Sequence, residues 1–211
     1  MADWATISAL ATAGGTLVLA GATFASVRSA NRAARAAEAS LLAGLRPLLV
    51  PSRLDDAEQK VAFVDGKRLL VQGGGAAAEA SEDWIYAAIS IRNVGTGIAV
   101  LHGWHLYPGM PPDIGAYLPP DEFTRLTRDI YVAAGDVGFW QGAFRDPSVR
   151  EFADIRRAIE SGERLTLDVL YGDFEGGQRV ITRFGLLPRE DRRGWFVAAG
   201  RHWNIDRSDP R

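Results

Sequence analysis

The hydrophobic pattern divides the chain sharply. From Trp4 to Val27 it reads WATISALATAGGTLVLAGATFASV, with no charged side chain, and Arg28, Arg32 and Arg35 follow at once. A helix over this run spans roughly 36 Å at about 1.5 Å per residue, enough to cross a hydrocarbon core of about 30 Å. The pattern predicts one membrane-spanning helix. Residues 29–45 are strong helix formers with no proline before Pro47, so the helix is expected to continue as a short stalk. The expected division is 1–46 for helix and stalk and 47–211 for a separate domain.

After Pro47 the period changes from helical to alternating. Residues 60–64 and 68–72 flank Asp65-Gly66, a hairpin signal. The small-residue stretch 73–82 reads as a loop. Residues 84–92 place Ile85, Ala87, Ile89 and Ile91 on one side and Tyr86, Ser90 and Arg92 on the other, the pattern of a half-buried strand. Asn93 to Gly97 supply a turn, and 98–107 the next strand. Residues 108–120 hold five prolines and read as loop; 121–128 are polar without a clear period. A short strand is expected at 130–133, and 135–144 read as a loop with aromatic anchors. Asp146-Pro147 has the form of a helix N-cap followed by proline, with Phe152, Ile155 and Ile159 at helical spacing up to about Ser161. Residues 165–171 and 179–186 form a second hairpin around Gly176-Gly177. A charged turn at 190–194 leads to a last strand at 195–205, and the tail from 207 is expected to fray.

About six to eight strands at short spacing, with one late helix, predict a mainly β fold behind the transmembrane α-helix. The specific expectation is an immunoglobulin-like antiparallel β-sandwich, with a jelly-roll-like barrel as the alternative.

The charge pattern bears on the first segment. A cleaved signal peptide carries its positive charge before the apolar run, whereas Asp3 is the only charged side chain there. A surface-lying amphipathic helix needs a charged face, absent before Arg28. A buried helix of a soluble protein is the remaining alternative, because Ala, Gly and Thr outnumber Leu. With arginine retained on the cytoplasmic side, the expected orientation is N-terminus outside and domain in the cytoplasm. On a helical wheel Ser8, Thr12, Thr16, Thr23 and Ser26 share one face, a small-residue surface suited to helix–helix contact. Leu10, Leu17 and Phe24 lie opposite, in line with the arginines.

Composition narrows the function. Residues 1–46 carry +2 and the whole chain −2, which leaves the domain at −4 and argues against a nucleic-acid partner. The chain has no cysteine, which excludes disulfides, thiolate chemistry and cysteine metal sites.

Two stretches carry a resemblance. ISIRNVGTGIAV, from Ile89 to Val100, resembles the strand-Asn-x-Gly-x-Gly-strand signature of an uncharacterised actinobacterial membrane protein family that pairs one N-terminal transmembrane helix with a small β-sandwich. LYGDFEGG, from Leu170 to Gly177, is similar to a Tyr-x-Asp-x-x-Gly hairpin later in the same domains. The resemblance implies the architecture and supplies no catalytic residue.

Candidate chemistry is sparse. His102 and His105, three apart on a strand, are expected on opposite faces and cannot both grip one metal, so a site would need His202 to join from the last strand. Asp173 and Glu175 beside a turn could do acid–base work or bind calcium, although Asp in a turn more often caps backbone N–H groups. Phe139-Trp140 sits in the Gly-flanked stretch as a candidate binding edge. No Gly-x-Ser-x-Gly, Walker or dinucleotide fingerprint occurs, and Gly73-Gly74-Gly75 lacks the lysine of a phosphate loop. No cofactor is expected. The expected function is a membrane-anchored, non-catalytic interaction module. It would contact the lipid bilayer through the run from Trp4 to Val27, and a protein partner or a second copy besides. The alternative is a membrane-tethered enzyme or ligand sensor using Asp173, Glu175 and His202.

Overall fold

The computed structural model describes residues 3–190 and 194–206 and divides into two compact units, Met1–Ala43 and Gly44–Arg211. The tail from 207 lies outside the described residues, as does most of the charged turn at 190–194.

Helix α1 (Trp4–Gly44) is unbroken over 41 residues, long and apolar enough to cross a membrane, and none of its residues is buried. Asp3 starts it: its carboxylate accepts the Ala5 N–H at 3.2 Å and the Thr6 hydroxyl at 3.2 Å, as an N-cap does. Ser8, Thr12 and Thr16 donate their hydroxyls back to the carbonyls of Ala5, Ser8 and Thr12, which satisfies these donors within the helix itself.

The second unit is mainly β. Its strands are β1 (Leu49–Pro51), β2 (Gln59–Ala62), β3 (Arg68–Val71), β4 (Gly75–Ala80), β5 (Ile85–Asn93), β6 (Ala99–Pro108), β7 (Thr124–Val132), β8 (Val137–Phe144), β9 (Leu165–Gly172), β10 (Val180–Pro188) and β11 (Trp195–Asn204), with helix α2 (Phe152–Glu160) before β9. Nine strands form one curled antiparallel sheet in the order β1-β5-β4-β11-β10-β9-β6-β7, and β8 pairs with β5. β8 runs along one edge of β5 from Ile85 to Arg92, so β4 (opposite Ile85 to Ile89) and β1 (opposite Ile91 to Asn93) share the other edge. The antiparallel β architecture with one late helix thus holds, and the layers a sandwich would pack face to face are parts of one continuous sheet.

The curl gathers the inward side chains into one core. Ile85 and Ile89 of β5, Trp104 of β6, Trp140 of β8, Leu167 and Tyr171 of β9 and Phe184 of β10 all belong to it. α2 adds Phe152, Ile155 and Ala158. At about 25 cal/mol per Å² of buried apolar surface, this core is the main driving force for the domain. Outside the sheet, the β2–β3 hairpin lays Val61, Phe63, Leu69 and Val71 over Tyr86 and Ala88 of β5. Its turn is the expected one, with Gly66 at φ 86°.

The Asn93–Gly97 turn does more than reverse the chain. Asn93 is fully buried; its amide donates to the carbonyls of Gly97 (2.7 Å) and Val132 (3.0 Å), and its oxygen accepts the N–H of Leu48 (3.1 Å) and Gly95 (3.0 Å). The backbone of Leu45 occupies the space a Cβ on Gly97 would need. The segment leading into β1 is therefore fastened on glycine backbone.

Several local expectations are corrected. Residues 75–80 form β4, because Ala76, Ala77 and Ala78 pair with β5 in a crowded part of the sheet where small side chains fit. Residues 121–133 contain β7 rather than an irregular stretch and a short strand. Most of the segment 135–144 is strand, not loop: the eight residues of β8 pair in unbroken register with β5. α2 begins at Phe152 instead of Asp146, whose carboxylate caps a turn through the Ser148 N–H at 2.9 Å. The loop expected at 108–120 lacks regular structure from 109 to 119, between the last residue of β6 and a 3-10 turn at Pro120–Glu122.

Candidate functional site

β9 is buried on both faces, so every second residue points out of the sheet into a further layer rather than into water. On this outer side Asp168 of β9 is paired in register with Arg183 of β10 and His105 of β6. The proline-rich loop folds over them: Arg183 donates to the carbonyls of Ile114 and Ala116. Its ring neighbours are Trp203, 4.9 Å from the guanidinium, and Tyr107, 5.7 Å away. Burial pushes the Tyr107 hydroxyl up to about 12. Phe123, Leu170, Ile181 and Trp203 continue this layer as a small second core.

A β-bulge at His102 corrects the expectation for the two histidines. The register shifts between Leu101 and Gly103 against both β9 and β7, which inserts one extra residue and resets the alternation. His105 lies opposite the outward Asp168, and a Cβ on Gly172 would sit 3.0 Å from His102 Nε2, so both histidines occupy the outer side. Burial lowers the pKa of each below the ordinary imidazole value. An open groove of about 800 Å³ adjoins His102, floored by Leu170, Phe123 and Gly103 and bordered by Arg125, Arg179 and Ile205. Arg179 is held there by Asp206, which lowers that carboxylate's pKa.

The candidate residues fall as follows. Asp173 is buried; Oδ1 accepts the Gly177 N–H at 2.8 Å and Oδ2 the Gln178 amide at 3.2 Å, the turn-capping use of Asp. Glu175 is exposed in the same turn. His202 of β11 is half-buried opposite Thr182, with Nδ1 2.7 Å from its hydroxyl. From Thr182 the chain of bonds continues to the buried Tyr171 hydroxyl at 2.9 Å, which accepts the Leu49 N–H at 3.1 Å. The groove beside His102 is lined by none of Asp173, Glu175 and His202. Among the described residues no three His, Asp or Glu side chains are placed to hold a metal. Trp140 is fully buried, its ring 5.3 Å from that of Trp104, so it presents no edge to solvent. Phe139 is half-buried under the Arg128 guanidinium, 5.5 Å away.

The sequence reading missed Asp168 and Arg183. An isolated Asp in an apolar strand, LTLDVLYG, facing the Arg of VITRFGLL, is the signal that could have found them. A lone charge in a doubly buried strand demands a partner. The chain matches no protein-family model and no curated protein.

Proposed function

We propose that this protein is a single-pass membrane protein, anchored by residues 4–27 with its N-terminus outside. Its β domain lies in the cytoplasm and binds a protein partner without catalysing a reaction. The observation that carries this reading is α1: an apolar run with no buried residue, closed on its C-terminal side by Arg28, Arg32 and Arg35. Such a surface is costly in water and suits lipid, and the arginines favour retention of the following segment. A non-catalytic domain is supported by the uses of its buried polar groups. Asp173 caps a turn, Asp168 and Arg183 neutralise each other, and His202, Thr182 and Tyr171 tie β11, β10 and β9 to β1. Self-association through Ser8, Thr12, Thr16, Thr23 and Ser26 is compatible with this, since back-bonded hydroxyls keep acceptor lone pairs for a neighbouring helix. The resemblance to one-helix, β-sandwich membrane proteins points the same way.

The test is topology. Reporters fused after Met1 and after Arg211, with fractionation, should place the protein in the membrane with its C-terminal reporter cytoplasmic. A soluble product, or a C-terminal reporter active outside, would overturn the reading. Reproducible substrate turnover by the purified domain would overturn its non-catalytic part.

A further inference from the structure

Because α1 continues without a break past the apolar run, Arg28, Arg32 and Arg35 fall on one helix face, spaced by four and three residues. Together with Phe24, Val27 and Asn31 they line one shallow surface hollow. Among the described residues none of the three has an ion-pair partner. Glu38 is the only acid on α1 and lies beyond them.

Direction then matters. In an α-helix every Cα–Cβ bond tilts toward the N-terminus, so these side chains lean back toward the apolar run. Arg32 and Arg35 lie about 6 and 10 Å beyond Arg28 along the axis. Long arginine stems reach back over several Å, which gathers the guanidinium groups within one headgroup layer, about 5–7 Å deep. Guanidinium forks match phosphate oxygens bidentately, and a zwitterionic headgroup would bring its own cation against three arginines.

We propose that Arg28, Arg32 and Arg35 form a clamp for the phosphate of an anionic phospholipid where α1 leaves the bilayer, with Phe24 against its acyl chain. This rests on the membrane anchor proposed above. The phosphate chemistry would also fit a free phosphate ion; the lipid is favoured because the clamp adjoins Phe24 and Val27 and leans toward the apolar run. Each arginine contributes roughly fivefold to partitioning on an anionic surface, on the order of 100-fold for the three.

The test uses the full-length chain, floated with vesicles of phosphatidylcholine alone or with phosphatidylglycerol added, and the lipid retained after detergent extraction is quantified. Wild type should retain phosphatidylglycerol in preference to phosphatidylcholine. R28Q/R32Q/R35Q should lose most of that preference, while R53Q/R68Q/R150Q, which removes the same charge from the β domain, keeps it. Indifference of the wild type, preference surviving in R28Q/R32Q/R35Q, or equal loss in the control variant would each overturn the clamp. Displacement of the lipid by millimolar inorganic phosphate would instead identify a site for the free ion. Failure to float with either vesicle would overturn the anchor itself.

Discussion

Arg183 grips Asp168 with both ends of its fork: Nε donates to Oδ1 at 2.7 Å and Nη2 to Oδ2 at 2.6 Å. The side chains are 5% and 0% exposed, so neither charge is solvated by water. The same guanidinium donates to the carbonyl of Ala116 at 3.0 Å, which makes one residue both counter-charge and clasp for the proline-rich loop. Removing Asp168 strands a buried cation, so D168A should cost about 3–5 kcal/mol in urea unfolding. D168L/R183M, which removes both charges, should cost less than D168A. A double variant less stable than the single one would contradict this account.

Gly97 is tested by one methyl group. In G97A the new Cβ overlaps the Leu45 backbone, which cannot rotate away as a flexible side chain could. Overpacking of this kind costs about 1–3 kcal/mol, and a backbone neighbour puts the change at the upper end. Thermal unfolding should show a clearly lowered midpoint; an unchanged one would mean that the segment before β1 is not fastened there.

What the chain disclosed in advance follows from where local chemistry decides the structure. The long apolar run and the Asp65-Gly66 hairpin are local signals, and each appears as expected. β5 keeps its two faces but is not half-buried: both faces are covered, because the β2–β3 hairpin packs over Tyr86 and Ala88. The residues 75–80 and 137–144 gave the wrong reading for a shared reason. Alanine and glycine usually weaken a strand, but here they fit between layers: a Cβ on Gly142 would meet the Trp140 and Trp104 rings, and one on Gly138 the Val132 side chain. That requirement is set by distant residues. His102 was misplaced because a bulge shifts the phase of alternation, and β6 alone carries no sign of it. Of the candidate site, the turn use of Asp173 was legible from its neighbours; the role of Tyr171 depends on β1, far away in sequence.

Tyr171 makes that dependence measurable. Its hydroxyl joins the Leu49 N–H of β1 to Thr182 of β10 in a fully buried setting, and burial raises its pKa. Y171F keeps the ring but leaves Leu49 and Thr182 short of a partner, at a cost of about 1–3 kcal/mol. Hydrogen exchange at the Leu49 amide should accelerate in Y171F and much less in T182V, which leaves the Tyr171–Leu49 bond in place. Equal acceleration in both would show that the bond to Leu49 is not what protects β1.

The outer histidines predict a response to acid. His105 packs edge-on against Tyr107 at 4.3 Å, and His102 lies over Gly172. Burial lowers both pKa values; Glu151, Asp168 and Glu122 around His105, and Asp129 and Asp173 around His102, oppose this incompletely, while Arg183 and Arg179 reinforce it. In the unfolded chain both histidines titrate near 6.5. Below that value the unfolded state binds more protons than the folded one, so their contribution is complete above about pH 6.5 and is lost as pH falls toward the folded values. Unfolding midpoints should therefore drop between pH 7 and pH 5. Asp65, held at about 2 by hydrogen bonds from Tyr86 and Arg145, keeps its charge over this range and adds no slope. In H102N/H105N the midpoint should change less with pH than in the wild type, whatever its starting value, because no imidazole remains at either position to take up a proton. A slope as steep as that of the wild type would assign the acid response to other groups.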